Sequence, residues 1–264
     1  MQTIGVVGAG AMGTVIVQRF VAAGRRVLVY DVAESAVARA VALGATAAPS
    51  PAELAAQADS VSVMVRTDAQ MLDAVLGSEG LLHGAPPGAV LLLHSTIHPR
   101  TTRRIGDAAR ARDVEVADAC LGGMPDVLRA GQAVCFAGGD AALVARVTPH
   151  LLLLVRQVIH MGPLGCGNVA KVVRNLVNLT DQLILHEGLL LASAAGIQRS
   201  RAVEIARLIY ASRLEAEDVR IDPNRPAGNL FDTVLPLARD LADELHVSAP
   251  LTRYLAAADP RLDV

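Results

Sequence analysis

The chain has 264 residues and a formal net charge of −2; hydrophobic residues make up 52% of it and aromatic residues 2%. This length allows one large domain or two smaller ones, and a core of Ala, Val, Leu and Ile suits helices packed on parallel strands. Basic residues form only short clusters such as Arg25–Arg26, too small to follow a phosphate backbone, which excludes nucleic acid as a partner.

Over roughly the first 160 residues, short β-branched runs alternate with Ala-rich stretches of helical periodicity. Repeated units of strand, helix and strand predict parallel neighbours in one sheet. The predicted strands are Ile4–Val7, Val27–Tyr30, Val61–Val65, Val90–Leu93, Val114–Ala117, Val134–Ala137 and Val158–His160.

Beyond the last of these strands, the pattern changes to long helices with apolar periodicity. The first helix is predicted to begin near Asn168 and to stop at Gly196, and the polar segment Ile221–Asn229 is a predicted loop. We therefore predict an α/β domain with a parallel sheet over residues 1–162, followed by an all-α C-terminal domain over residues 163–264.

A glycine-rich turn directly follows the first predicted strand. Its GxGxxG pattern lets the chain turn tightly and brings backbone N–H groups and a helix N-terminus against a pyrophosphate. Because the pattern opens a strand–helix–strand unit, it predicts a dinucleotide-binding Rossmann domain. The predicted cofactor contacts in this turn are Gly8, Gly10, Ala11, Met12 and Gly13.

An acidic residue ends the second predicted strand. Asp31 stands 18 residues after Gly13, near the spacing at which a carboxylate binds the adenosine ribose hydroxyls. It would repel a 2′-phosphate, and the following Val32 and Ala33 cannot pair with one, so NAD is favoured over NADP. The alternative is that Asp31 only caps the next helix.

The 24 basic residues comprise 23 arginines and one lysine, Lys171. Arginine cannot deprotonate in a protein, whereas lysine can, so a lone lysine is expected where a proton is exchanged. On a helix, Arg174 and Asn175 share its face, and a partly desolvated amine beside a second cation is expected to give up its proton readily. The alternative is a leftover surface lysine.

The segment that contains this lysine, GPLGCGNVAKVVRN, resembles the GxxGxGxxxKxxxN motif of the β-hydroxyacid dehydrogenases, relatives of 3-hydroxyisobutyrate dehydrogenase. The matching residues are Gly162, Gly165, Gly167, Lys171 and Asn175. The GxGxMG turn, an STxxP turn and a later Asp-Ala segment match in the same order. The resemblance covers nearly the whole chain and implies a Rossmann domain followed by a helical domain that usually dimerises.

The resemblance also implies roles for single residues. Lys171 is the general acid/base, and Asn175, with Arg174 beside it, contacts the substrate. Ser95 and Thr96 lie beside the nicotinamide, where Val65 at the end of the fourth strand is also a predicted cofactor contact, and Ser95 reaches the substrate. Gly122 and Gly123 present backbone N–H groups to the substrate carboxylate. His94 and His98, which flank the STxxP turn, are expected to be structural or solvated.

Three features depart from the family pattern. The usual DAPVSGG segment reads DACLGGM here, so Gly122 replaces a serine and Met124 a glycine. Arg66 and Arg239 stand where the family often has proline and lysine, and either is a carboxylate-binding candidate or a solvated charge. The chain also ends early, which predicts a shortened helical domain.

The cysteines and the apolar segments point to a soluble intracellular protein. Three widely spaced cysteines without a CxxC pair predict neither disulfides nor a metal site. No run reaches about 18 uninterrupted apolar residues, and no basic region precedes an apolar start, so we expect a cytoplasmic protein without a membrane segment.

The leading hypothesis is an NAD-dependent oxidoreductase that moves a hydride between a small 3-hydroxy acid and the nicotinamide, with a homodimer or higher homo-oligomer as its assembly. An imine or ketone reductase on the same scaffold is one alternative. A non-catalytic NAD-binding module is another.

Overall fold

The computed structural model describes residues 2–194 and, beyond them, only positions 197–198, 200–201, 203–204, 236–237, 239–240 and 243–244. The chain divides into two compact units, Met1–Lys171 and Val172–Val264. In the described part, no helix is both long enough and apolar enough to cross a membrane.

Eight strands of the described residues form one sheet in the order β3-β2-β1-β4-β5-β6-β7-β8. These strands are β1 (Thr3–Val7), β2 (Arg26–Tyr30), β3 (Thr46–Ala47), β4 (Ser60–Val63), β5 (Val90–Leu93), β6 (Glu115–Gly122), β7 (Val134–Gly138) and β8 (Gln157–Gly162).

The helices of the described part join successive strands and then extend beyond the last one. They are α1 (Ala11–Ala22), α2 (Glu34–Ala42), α3 (Pro51–Ala55), α4 (Asp68–Leu76), α5 (Leu81–Gly84), α6 (Pro99–Arg110), α7 (Pro125–Arg129), α8 (Ala141–Leu151) and α9 (Cys166–Ala194).

The predicted α/β fold is confirmed, with one difference in strand direction. Six neighbouring pairs of the sheet are parallel, but β7 runs antiparallel to β6, with Leu121 opposite Cys135. A parallel crossover needs a dozen or more residues, usually with a full helix, and residues 123–133 hold only the short α7. The predicted parallel sheet is thus found in all neighbouring pairs except β6–β7. The two-residue strand β3 was not predicted.

The sheet is buried on both faces, which explains its continuous apolar strands. On one face, Ile4, Val29 and Leu92 pack in a cluster that includes Phe20 of α1. On the other face, alternate residues such as Leu91 join a second cluster with the helices α3 to α6. The α/β sandwich therefore depends on aliphatic packing, as the scarcity of aromatic residues predicts.

The helix after the sheet begins two residues before its predicted start near Asn168, at Cys166. The predicted stop at Gly196 and the predicted loop Ile221–Asn229 lie outside the described residues. So does most of the predicted all-α domain beyond α9.

A buried histidine joins three adjacent strands. The Nδ1 atom of His94 lies 2.7 Å from the carbonyl oxygen of Ala119 in β6, and its Nε2 atom lies 3.0 Å from the Ser62 hydroxyl in β4. Because a carbonyl only accepts, Nδ1 carries the proton and Nε2 accepts from the hydroxyl. Burial lowers the pKa of the imidazole to about 4. His94 is therefore a neutral, structural residue, as predicted.

This histidine predicts an acid-sensitive fold. Its folded-state pKa of about 4 lies below its ordinary value of 6.5, so its contribution is complete above pH 6.5 and is lost as the pH falls towards 4. At pH 5 the expected loss is about 2 kcal/mol in the free energy of unfolding. Urea titrations from pH 7 to pH 4.5 should show a smaller loss in His94→Gln than in the wild type.

The exposed His83 provides the control, because His83→Gln should keep the wild-type pH dependence. An unchanged slope in His94→Gln would contradict the buried neutral state.

Candidate active site

The predicted cofactor residues converge on one edge of the sheet. Gly8 follows β1, Asp31 follows β2, Val65 lies just beyond β4, and Ser95 follows β5. These four strands are parallel, so their carboxyl ends share an edge, and the strand order reverses between β1 and β4. A doubly wound sheet binds its ligand in the crevice at such a reversal.

Each of the three glycines in the first turn is needed for a different physical reason. Gly8 has a φ of +91°, and a Cβ there would overlap the carbonyl of Met64. A Cβ on Gly13 would overlap the carbonyl of Gly8. By contrast, no described atom lies within 4 Å of a Cβ built on Gly10. The fold thus requires the first and third glycines, while the second borders open space that a ligand can fill.

The N-terminus of α1 is suited to an anion. Like α2, α5 and α7, and unlike α3, α4 and α8, the helix α1 has no side-chain capping hydrogen bond from its N-cap residue, which is Gly10. Its first backbone N–H groups therefore lack side-chain acceptors, and they point to an edge that Gly10 leaves open. These features fit the pyrophosphate of a dinucleotide.

Asp31 is tied to the same turn. Its Oδ2 accepts from the backbone N–H of Ala9 at 2.6 Å, and its Oδ1 accepts from that of Ala33, the N-cap of α2, at 2.8 Å. The two oxygens of the Asp31 carboxylate can accept about four hydrogen bonds, so after these two they can still accept hydrogen bonds from hydroxyl groups. The carboxylate is partly exposed beside the strongly exposed Val32.

Ser95 joins the ends of β4 and β5. Its hydroxyl accepts from Val65 N–H at 2.9 Å and donates to the Val65 carbonyl at 2.8 Å. The side chain is 1% exposed, whereas the neighbouring Thr96 is half-buried. The Ser95 proton is therefore already engaged within the protein, and a direct contact of Ser95 with the substrate stays a prediction.

A buried carboxylate holds the start of α9. Asp118 of β6 is 0% exposed, and its two oxygens accept from the backbone N–H groups of Gly165 at 2.8 Å and Asn168 at 2.7 Å. Burial raises the pKa of Asp118 above its usual range, while these hydrogen bonds oppose the shift. The positive end of the helix dipole favours a negative charge at this position. Asp118 thus docks α9 on the sheet.

The glycines of the GxxGxG motif make this docking possible. Gly165 has a φ of +98°. A Cβ on Gly167 would lie 2.5 Å from the Phe136 carbonyl oxygen and 2.8 Å from Asp118 Oδ2. Side chains at these positions would push the helix away from the β6 and β7 backbones.

Lys171 lies in the second turn of α9 and is 8% exposed, so it is not a leftover surface lysine. Burial raises the pKa of the Cys120 thiol far above its usual range; the Asp118 charge adds to the shift and the Lys171 charge opposes it. The Lys171 charge is thus close enough to act on β6. One turn later on α9, Asn175 is 3% exposed and accepts from Arg174 Nη1 at 3.3 Å.

At the end of β6, where the sequence departs from the family segment, the Phe136 ring of β7 lies close to Gly122. A Cβ on Gly122 would lie 3.0 Å from Cε2 of the Phe136 ring on β7. Phe136 therefore occupies space that a side chain at position 122 would need. Met124, at the other departure from the family segment, is 50% exposed.

The structure gives less information about the roles of three further predicted residues, Gly123, Arg239 and Arg66. Gly123 follows β6 at the carboxyl edge of the sheet, and its contact with the substrate stays a prediction. The exposed Arg239 pairs with its neighbour Asp240, with 3.1 Å between Nη2 and Oδ1, and Arg66 is also exposed. Neither observation assigns these arginines to a substrate carboxylate.

Two residues of the site were not predicted. Asp118 was predicted only as part of a motif, although an acid inside an apolar strand signals a buried partner. Asn168 occupies an unspecified position of the lysine motif, and nothing in its spacing marks it. Its amide lies 3.1 Å from the Ser95 carbonyl and 3.2 Å from Cys120 Sγ.

Comparison with known proteins agrees with this geometry. The family model of the NAD binding domain of 6-phosphogluconate dehydrogenase matches residues 3–162. The NAD-dependent L-serine dehydrogenase of Pseudomonas aeruginosa is 33% identical over 78% of this chain and 70% of its own. The 3-sulfolactaldehyde reductase of Escherichia coli is 27% identical, over 95% and 87% respectively. Mycobacterium tuberculosis 3-hydroxyisobutyrate dehydrogenase, solved with L-serine, superposes with a TM-score of 0.82 at 26% identity, over 97% and 92%.

The sheet, the glycine turn and these relatives define an NAD(P)-dependent oxidoreductase with a Rossmann domain. The chain belongs to the β-hydroxyacid dehydrogenase family, whose members include 3-hydroxyisobutyrate dehydrogenase, as its motifs predict.

The glycine geometry gives a test that separates folding from binding. Gly10→Ala should change the melting temperature by no more than about 2 °C and weaken dinucleotide binding at least about tenfold, because its methyl enters the open space. Gly13→Ala should lower the melting temperature by roughly 5 °C or more, because its methyl overlaps the Gly8 carbonyl. Thermal unfolding and calorimetric titration with NAD and NADP provide both quantities. Unchanged affinity in a folded Gly10→Ala would place the dinucleotide elsewhere.

Proposed function

We propose that the protein transfers a hydride between NAD and a small 3-hydroxy acid, or the corresponding aldehyde acid, with Lys171 as general acid/base. The observation that carries this proposal is the burial of the only lysine in the sequence on a helix docked to β6. A lysine withdrawn from water, on a helix whose start contacts β6, is expected where protons are exchanged.

In the proposed reaction, NAD and Lys171 each carry out one transfer. Bound NAD supplies the hydride acceptor. Lys171 takes the hydroxyl proton of the substrate as the carbon–hydrogen bond breaks, and returns it in the reverse direction. An arginine at this place would keep the charge but not exchange the proton.

The names of the relatives support this substrate class. L-serine and 3-hydroxyisobutyrate both carry a hydroxyl group β to a carboxylate, and the Escherichia coli relative reduces an aldehyde. We propose that the backbone N–H groups of Gly122 and Gly123 receive the carboxylate, and that Asn175 with its neighbour Arg174 orients the hydroxyl. A role for Arg239 as a second carboxylate ligand is the weakest part of this proposal, since it already pairs with Asp240.

The Asp31 carboxylate supports NAD as the preferred cofactor. It lies at the end of β2 beside the glycine turn and carries a negative charge that opposes a 2′-phosphate. The exposed Val32 provides no positive charge to compensate.

Substitution of the lysine tests the proposed chemistry. With NAD and a panel of L-serine, 3-hydroxyisobutyrate and other short 3-hydroxy acids, reduced-nicotinamide absorbance should rise for the wild type. Lys171→Ala should lower kcat by about 10²–10⁴-fold, the usual contribution of general acid/base catalysis. Lys171→Arg, which keeps the charge, should be impaired similarly while NAD affinity changes less than about threefold. Appreciable turnover by Lys171→Arg would exclude the proton-transfer role.

Cofactor preference is tested at Asp31. Asp31→Asn should reduce the ratio of kcat/KM for NAD to that for NADP by about tenfold or more, because it removes the charge that repels a 2′-phosphate. Glu34→Gln removes an equal charge from the first turn of α2 and should leave the ratio nearly unchanged. Equal effects of the two substitutions would mean that NAD and NADP are distinguished by the overall negative charge of this region and not by Asp31 itself.

A further inference from the structure

We propose that Asn168 is a positioning residue that sets the rotation of α9 about its axis and thereby places the Lys171 amine relative to the strand ends at the cofactor edge. This inference rests on the proposed function of Lys171, but its first test below does not require activity.

The Asn168 side chain is completely buried and its hydrogen-bonding capacity is used on three sides. Its Oδ1 accepts from the Thr102 hydroxyl of α6 at 2.7 Å. Its Nδ2 donates to the Ser95 carbonyl at 3.1 Å and lies 3.2 Å from Cys120 Sγ. The amide cannot turn without breaking several buried hydrogen bonds, each of which is costly to leave unmade.

Through Ser95 this amide is connected to the cofactor edge. The Ser95 hydroxyl bridges the N–H and carbonyl of Val65 at the end of β4, while the Ser95 carbonyl receives the amide of Asn168. Lys171 follows Asn168 by three residues on the same helix, so the two lie near one face. The strand ends and the turn of α9 that carries the lysine are therefore joined by a short series of buried hydrogen bonds that ends at Asn168.

Asn168 and Asp118 act on different motions of α9. Asp118 binds backbone N–H groups at the helix end, which fixes its position but constrains rotation only weakly. Asn168 contacts its neighbours from the side of the helix and so opposes rotation. At about 6 Å from the axis, a rotation of about 10° moves an atom by about 1 Å. A misplacement of that size can lower catalysis about 100-fold.

The single lysine permits a direct measurement. Full-length protein with a lysine-free tag, labelled with [ε-¹³C]lysine, gives one side-chain signal, from Lys171. We expect Asn168→Ala to move the pH midpoint of this signal by at least about 0.5 units, because the amine changes its surroundings. Thr102→Val is the matched control: it also breaks a buried hydrogen bond of the network but leaves the link to Ser95, so it should shift the midpoint by less than about 0.2 units.

Kinetics provide the second readout. Asn168→Ala should lower kcat at least about tenfold and change KM and NAD affinity less than about threefold, with the same displacement in its pH–rate profile. Thr102→Val should keep kcat within about threefold of the wild-type value, although it should lower the melting temperature about as much as Asn168→Ala does. If Asn168→Ala does not fold, Asn168→Ser, which is too short to reach Ser95, takes its place.

The outcomes are distinct. An unchanged Lys171 signal in the folded Asn168 variant, or equal effects of the Asn168 and Thr102 variants on it, would overturn the positioning role. A displaced signal together with full activity of Lys171→Arg would retain the positioning role and reject the proposed function instead.

Discussion

The structure of the site depends on one interaction, between the buried Asp118 carboxylate and the N-terminus of α9. An isolated carboxylate inside a protein is costly, and this one is stabilised by the N–H groups of Gly165 and Asn168 together with the helix dipole. The same contact fixes where the helix begins. Since Lys171 lies less than two turns farther on, the same contact sets where the turn that carries this lysine lies on the sheet.

This contact also explains why the lysine motif is rich in glycine. Close approach of the helix to β6 and β7 leaves no room for a Cβ at position 167, and the turn before it requires a positive φ at Gly165. The glycines of the lysine motif are therefore needed for the docking of α9 on the sheet, in addition to any role in ligand binding. In the first turn, Gly13 has the same kind of role against the Gly8 carbonyl, and only Gly10 borders free space.

The sequence predicted those features that local patterns encode. Apolar runs marked seven of the strands, the glycine turn marked the cofactor edge, and the single lysine marked the helix that carries it. The direction of β7 is set by the short connection between β6 and β7, and no periodic pattern within either strand encodes it. Asn168 could not be predicted, because its three partners come from Thr102, Ser95 and Cys120, which lie 48 to 73 residues away in the chain. Such long-range contacts leave no periodic signal.

The altered end of β6 involves two neighbouring strands. Gly122 removes a hydroxyl that the family segment usually provides, and the Phe136 ring lies against the vacated position, so a side chain there would need the ring to move. The substitution at position 122 and the presence of Phe136 should therefore be considered as one change.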